Sequence, residues 1–81
     1  MGANLKLKGL RVSKGKTQQD IAKVLGISET AYNMKERGYR EFTRPEIKKL
    51  YKFFELTPVE LIDIFFADEV HAKGTKRTKP A

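Results

Sequence analysis

The chain has 81 residues, with 17 Lys or Arg against 10 Asp or Glu and a formal net charge of +7. A chain this short hides a smaller share of its surface than a large one, so one economical core is expected and a large substrate cavity is not. With no cysteine at all, disulfides, thiolate chemistry and cysteine-ligated zinc are excluded, a composition that a reducing cytoplasm permits.

His71 is the only imidazole. Apolar-rich stretches such as Leu61 to Ala67 fall far below the roughly 20 residues that span a bilayer, and no charged-then-apolar leader opens the chain. The expectation is a soluble cytoplasmic protein with no membrane partner. The charge is unevenly spread: residues 1–52 hold 13 bases against 5 acids, 53–67 hold 3 acids and no base, and 68–81 hold 4 bases and 2 acids. A basic block followed by an acidic, apolar one predicts two surfaces, the first suited to a polyanion and the second to protein. On charge alone, a merely solvated basic surface stays open.

Leu5, Leu7, Leu10 and Lys14 open the chain with a loosely helical pattern, although Gly9 costs about 1 kcal/mol of helix propensity relative to Ala. A first helix is predicted from near residue 4 to 14, stopped by Gly15. Thr17, with Asp20 three residues on, reads as a capping box for a second helix over Gln18 to Leu25. Ile21, Ala22 and Leu25 lie on one stripe of it and must face a core, with Gln19, Asp20 and Lys23 outside. Gly26 makes a left-handed turn at low cost, Ile27 folds back onto the core, and Ser28 caps a third helix from Glu29 to about Glu36. That helix is expected to bury little beyond Ala31 and Tyr32 and to show Glu29, Thr30, Asn33, Met34 and Lys35. So polar a short helix needs a partner outside the chain.

Arg37 to Phe42 reads as a loop around Gly38. Thr43, Pro45 and Glu46 then supply a cap, an early proline and a capping-box acid for a fourth helix running to about Phe54, with Ile47, Leu50, Tyr51 and Phe54 as its seam. Thr57, Pro58 and Glu60 start a fifth by the same device, ending near Phe66. From Asp68 onward almost nothing apolar remains, so residues 68–81 read as a flexible basic tail behind a domain of residues 1–67. The predicted fold class is all-α, five short helices with no internal repeat.

Three segments, Thr17-Gln18-Gln19-Asp20-Ile21-Ala22, Leu25-Gly26-Ile27-Ser28 and Glu36-Arg37-Gly38, resemble the helix-turn-helix family of phage repressors and Cro, also described as xenobiotic-response-element-like. The similarity covers roughly residues 5–62. Ala22 sits four residues before Gly26, where two helices cross closely, and Ile21, Leu25 and Ile27 hold the angle between them. Tyr32, Lys35 and Arg40-Glu41-Phe42-Thr43 resemble a subgroup of short phage and prophage repressors that lack a second domain. Positions 32 and 35 are aliphatic in many relatives and here are Tyr32 and Lys35.

The resemblance implies that the third helix enters the major groove, N-terminal end toward the bases, which assigns Glu29, Thr30, Asn33 and Met34 to base readout. Glu29, acceptor-only when ionised, suits the amino group of cytosine, and Asn33, which both donates and accepts, suits adenine. Glu29 in the first turn also favours the helix dipole without touching a base, and both readings stay open. Gln18 resembles the family glutamine that reaches a phosphate and braces the first residue of the recognition helix. Lys16, Thr17, Gln18, Ser28, Lys35, Arg37, Tyr39 and Arg40 form the expected phosphate-contacting set, which fixes position without carrying sequence information. Arg11 and Glu36 are implied to form a structural ion pair.

In the fifth helix Val59, Leu61, Ile62, Ile64, Phe65 and Phe66 offer more apolar area than a terminal helix of a small bundle usually buries. Val59, Ile62, Phe65 and Phe66 are therefore the candidate dimer interface, the competing reading being that Leu61 and Phe65 complete the core. No glycine-rich phosphate loop and no convergent acid pair is present, so an enzyme, a cofactor and a metal site are not expected. The function read from the sequence is a sequence-specific, dimeric transcriptional repressor of double-stranded DNA with a palindromic operator. Its rivals are an antitoxin-like autoregulator, an activator touching polymerase through Asp20, and a protein-interaction adaptor working through the fifth helix.

Overall fold

The computed structural model of the chain describes residues 3–67. The expected tail, with His71, lies outside them. Five helices follow in order: α1 (Leu5–Ser13), α2 (Gln18–Leu25), α3 (Glu29–Glu36), α4 (Arg44–Phe53) and α5 (Pro58–Phe65). No strand occurs among the described residues. The first helix is one residue shorter at each end than the sequence pattern suggests, because the Asn4 side chain, accepting from the Leu7 backbone N–H, caps it at residue 5.

Local chemistry sets every helix start. Thr17, Thr43 and Thr57 each accept from the N3 backbone amide while Asp20, Glu46 and Glu60 reach back to the cap N–H, so orphan donors at both ends of each box are satisfied. Ser28 caps α3 through a bond from the Ala31 N–H. Between α2 and α3, Gly26 sits at φ 73°, a region that side-chain-bearing residues rarely enter. The Ile27 N–H then closes back on the Ala22 carbonyl at 3.0 Å, the six-to-one closure that ends a helix over a left-handed residue. The α2–α3 turn is thereby fixed by backbone bonds.

The core consists of Leu7, Ile21, Ala22, Leu25, Tyr32, Leu50, Phe54 and Leu56, with Leu10, Val24, Ile27, Phe42, Tyr51, Ile64 and Phe65 packed around it. Helix α2 is central, lying against α3 and α4, while α1 lies against α3. On three helices the core stripe carries a charged residue one turn from a fully buried one: Arg11 beside Leu7, Glu36 beside Tyr32, Glu46 beside Leu50. Residues four apart share a helix face, so these charges are carried inside with the apolar side chains. Since an unpaired buried charge costs several kcal/mol, each must find a partner on another helix.

Two packing expectations are corrected here. Ala31 is only half-buried, and the inner face of α3 is formed by Tyr32 and Glu36. Phe65, expected at a dimer interface, instead packs on the core, its ring edge-on to Phe42 at 5.6 Å, and Phe42 in turn lies 6.0 Å from Tyr32. The half-buried loop aromatic between α3 and α4 thus meets one ring from α3 and one from α5. Asn4 ties the same end of the molecule together: its backbone N–H donates to the Glu36 carbonyl at 2.8 Å and its side-chain amide to the Ile64 carbonyl at 2.9 Å.

Candidate nucleic-acid interface

Helix α3 buries Tyr32 and Glu36 and turns Glu29 and Thr30 to solvent, with Asn33 and Met34 half-buried beside them. The helix is held from beneath by one carboxylate. Glu36 accepts from Arg11 Nε at 2.8 Å, Arg11 Nη2 at 3.1 Å, the Tyr32 hydroxyl at 2.7 Å and Gln18 Nε2 at 3.0 Å. Arg11 also donates through Nη1 to the Lys16 carbonyl at 2.8 Å. One buried node therefore joins α1, the α1–α2 loop, α2 and α3. Burial pushes the Glu36 carboxyl up, but the bonds from Arg11, Tyr32 and Gln18 outweigh it and hold its pKa below the ordinary carboxylate value. Bonding to Glu36 raises the Arg11 guanidinium, against the opposing effect of burial. Burial, then the Glu36 bond, drives the Tyr32 hydroxyl far up, so the phenol remains a donor.

Lys35 is the residue whose placement departs most from expectation. Its Nζ lies 2.6 Å from Glu46 Oε1 and its side chain is only 10 % exposed, so it is engaged inside the protein and is not presented to phosphate. Glu46 accepts from the Thr43 backbone N–H through the same oxygen, which pins the loop between α3 and α4 at both ends. Burial raises the Glu46 carboxyl, and Lys35 and Thr43 together bring it below its ordinary value. The departures at positions 32 and 35 thus have one explanation: each polar head finds an internal carboxylate, Tyr32 on Glu36 and Lys35 on Glu46. No local pattern in the sequence announces the second pairing, because its members stand eleven residues apart on different helices. Lys35→Ala is expected to cost about 2 kcal/mol by leaving a shielded Glu46 charge unpaired. Urea midpoints of the two proteins would measure it, and an unchanged midpoint would return Lys35 to the surface set.

The other expected phosphate residues lie around α3. Lys16, Thr17, Ser28, Arg37, Tyr39 and Arg40 are exposed and Gln18 is half-buried. The Thr17 and Ser28 oxygens accept from the Asp20 and Ala31 amides, which leaves each hydroxyl proton to be donated outward. Arg37 stacks over the Tyr39 ring at 5.2 Å and Lys16 lies 5.8 Å from the Phe53 ring centre, contacts that restrain long side chains at little cost. Beside Lys16 an open groove of about 350 Å³ is lined by Lys14, Lys16, Phe53, Phe54 and Glu55. Gln18 reaches Asn33, whose Nδ2 donates to Gln18 Oε1 at 3.1 Å, and not Glu29 at the start of the helix. The apolar residues of α5 divide: Val59 is 75 % and Ile62 42 % exposed, whereas Ile64 and Phe65 lie on the core and Phe66 is half-buried.

Asn4 and Glu46 are structural residues that sequence reasoning did not single out for the site; the capping box did place Glu46 correctly along the chain. Among the described residues no cluster of His, Asp or Glu is arranged to hold a metal ion, and no helix is long and apolar enough to cross a membrane.

A helix packed across α2 by a glycine turn, its inner face locked and its outer face polar and rimmed by cations, defines a helix-turn-helix DNA-binding protein. A helix-turn-helix family model matches residues 7–61, more than half of the chain, and the chain belongs to that family. No curated protein and no solved structure gives a significant match. The protein is accordingly a DNA-binding transcription regulator of the phage-repressor and Cro type.

The two depressed carboxyls make an acid-stability prediction. Glu36 and Glu46 titrate lower in the folded chain than their ordinary value of 4.5. Their ionisation therefore contributes stability that is complete above that value and is lost as pH falls through the folded pKa. Thermal melts should be level from neutrality to about pH 5 and fall steadily below about pH 4. Melting that stays level throughout the acid range would contradict it.

Proposed function

We propose that the protein is a repressor of the phage or prophage type that binds a palindromic operator as a dimer. Residues 1–67 form its DNA-binding domain, residues 68–81 a basic tail, and its place is the cytoplasm, on the nucleoid. Helix α3 lies in the major groove with Glu29, Thr30, Asn33 and Met34 toward base edges, while Lys16, Thr17, Gln18, Ser28, Arg37, Tyr39 and Arg40 hold phosphates. Lys35 is left out of that set because its ammonium is held by Glu46. The observation that carries the reading is the exposure of Glu29 and Thr30 at the N-terminal end of a helix whose other face is anchored by Tyr32 and Glu36.

Dimerisation through α5 is supported by Val59 and Ile62, three residues apart and both exposed, with Phe66 four residues further on. Those positions share one helix face. The same face suits a toxin or another protein partner in the antitoxin reading.

The testing experiment selects bound sites from a random duplex library with the purified protein and titrates the best site at several salt concentrations. A palindrome with half-sites about one helical turn, roughly 34 Å, apart is expected. Lys16, Arg37 and Arg40 from two protomers predict a slope of log affinity against log salt of about −5. Enrichment of no sequence, with only salt-sensitive binding, would move the reading to an adaptor.

A further inference from the structure

Asn4 meets the ends of three helices. Its side-chain Oδ1 accepts from the Leu7 N–H at 3.0 Å and starts α1. Its backbone N–H donates at 2.8 Å to the carbonyl of Glu36, the last residue of α3. Its Nδ2 donates at 2.9 Å to the carbonyl of Ile64, in the last turn of α5. The final four carbonyls of a helix find no partner within it. Asn4 thus supplies an outside donor both to the reading helix and to the helix that carries the exposed Val59 and Ile62.

The direction of α5 depends on that junction. None of its residues is fully buried. Its other ties are Ile64 and Phe65 on the core, with the Phe65 ring against Phe42, and an exposed ion pair from Lys6 to Asp63. Apolar contact is non-directional and an exposed ion pair contributes little, so these hold α5 down without setting its tilt. Hydrogen bonds are directional, and through Asn4 they join the C-terminal end of α5 to that of α3. In a dimer formed through α5, the separation of the two α3 helices follows from the angle between α5 and α3 in each protomer. One base-pair step is about 3.4 Å, a tenth of the roughly 34 Å turn between half-sites. An eight-residue helix such as α5 is about 12 Å long, so a swing of about 16° carries one end through that step.

We propose that Asn4 is a positioning residue for operator spacing: by joining the ends of α3 and α5 it fixes how far apart a dimer sets its two reading helices. This rests on the reading of a palindrome-binding dimer formed through α5.

The test uses the full chain with Asn4→Asp, Asn4→Ser and, as a control, Lys6→Gln. Asp and Ser both keep a capping oxygen for α1 and the backbone bond to Glu36, and both remove the amide donor to Ile64. The neutral Ser variant shows that the Asp result is not an effect of charge. Circular dichroism melts establish folding and sedimentation establishes dimers. Affinity is then measured for the selected operator, for versions with half-sites one base pair closer and one further apart, and for an isolated half-site. The parent is expected to prefer its own spacing about tenfold or more. Both Asn4 variants should stay dimeric, bind the isolated half-site as the parent does, and separate the three spacings by about threefold or less. Lys6→Gln, which loosens α5 elsewhere, should keep the parent's preference. Asn4 variants with the full spacing preference overturn the positioning role while the dimer stands. Equal weakening on half-site and operator, with preference intact, reduces Asn4 to a support of α3 and overturns it too. The same loss of preference in Lys6→Gln does likewise, since any loosening of α5 would then suffice. A parent that is monomeric on its operator, or indifferent to spacing, removes the dimer reading, and the proposal falls with it.

Discussion

Replacing Glu36 by Ala is expected to remove about 3–5 kcal/mol of stability, the range seen when one member of a buried ion pair is deleted. Arg11, 7 % exposed, would keep only the Lys16 carbonyl as an acceptor for its guanidinium, and the Tyr32 hydroxyl and Gln18 amide would lose the Glu36 acceptor. Domains of this size have roughly 4–12 kcal/mol in total, so a drop in melting temperature of at least about 15 °C follows. The triple variant Arg11→Met, Glu36→Met, Tyr32→Phe should recover most of that loss, because replacing a buried charge group by apolar side chains of similar volume is often neutral or better. That comparison separates two roles for the node. Recovery of stability with loss of sequence-specific binding would assign it to holding α3 in register for DNA. Full function in the triple variant would reduce it to one of several ways of filling the space, and a loss below about 1 kcal/mol in Glu36→Ala would remove it from the centre of the fold.

The second large effect is on affinity. Ile62→Asp should leave the fold within about 0.5 kcal/mol of the parent, since a 42 % exposed position away from the core tolerates a polar side chain. Under the proposed α5 interface it places like charges across a two-fold axis and produces a monomer by sedimentation. Operator affinity should then fall about a hundredfold or more, because the second half-site is no longer held at high effective concentration. Binding to an isolated half-site should be unchanged. A variant that still sediments as a dimer, or a parent protein that is monomeric on its operator, would sink the α5 interface and leave Val59 and Ile62 to a different partner. Phe65 is unsuited to this test: it covers Phe42, and its loss would disturb the loop under α3 as well as any interface.

Which parts of the molecule could be read beforehand follows from the range of the interactions involved. Thr17, Ser28, Thr43 and Thr57 start helices through bonds to amides three residues away, and Gly26 ends α2 through its own backbone angle. Such features are complete within a few residues, so helix order and bounds were legible to within about one residue. The stripe Ile21, Ala22 and Leu25 was legible too, because helical periodicity and burial coincide there. The resemblance to a family supplied the direction in which α3 presents its side chains, which periodicity alone does not give.

The pairing of polar groups across helices was not legible. Lys35 looks like one more surface cation in a basic stretch; only the packing of α4 against α2 brings Glu46 to its ammonium. Gln18 reaches Asn33 rather than Glu29 because the crossing of α2 and α3 sets that distance. Phe65 packs against the core because the fold brings the Phe42 ring beside it. The five helices, the turn, the basic face and the apolar surplus of α5 each depend on neighbours along the chain and could be read from it. Which charges are tools and which are struts emerged from the packing alone, because the energy of a charge depends on what surrounds it in space.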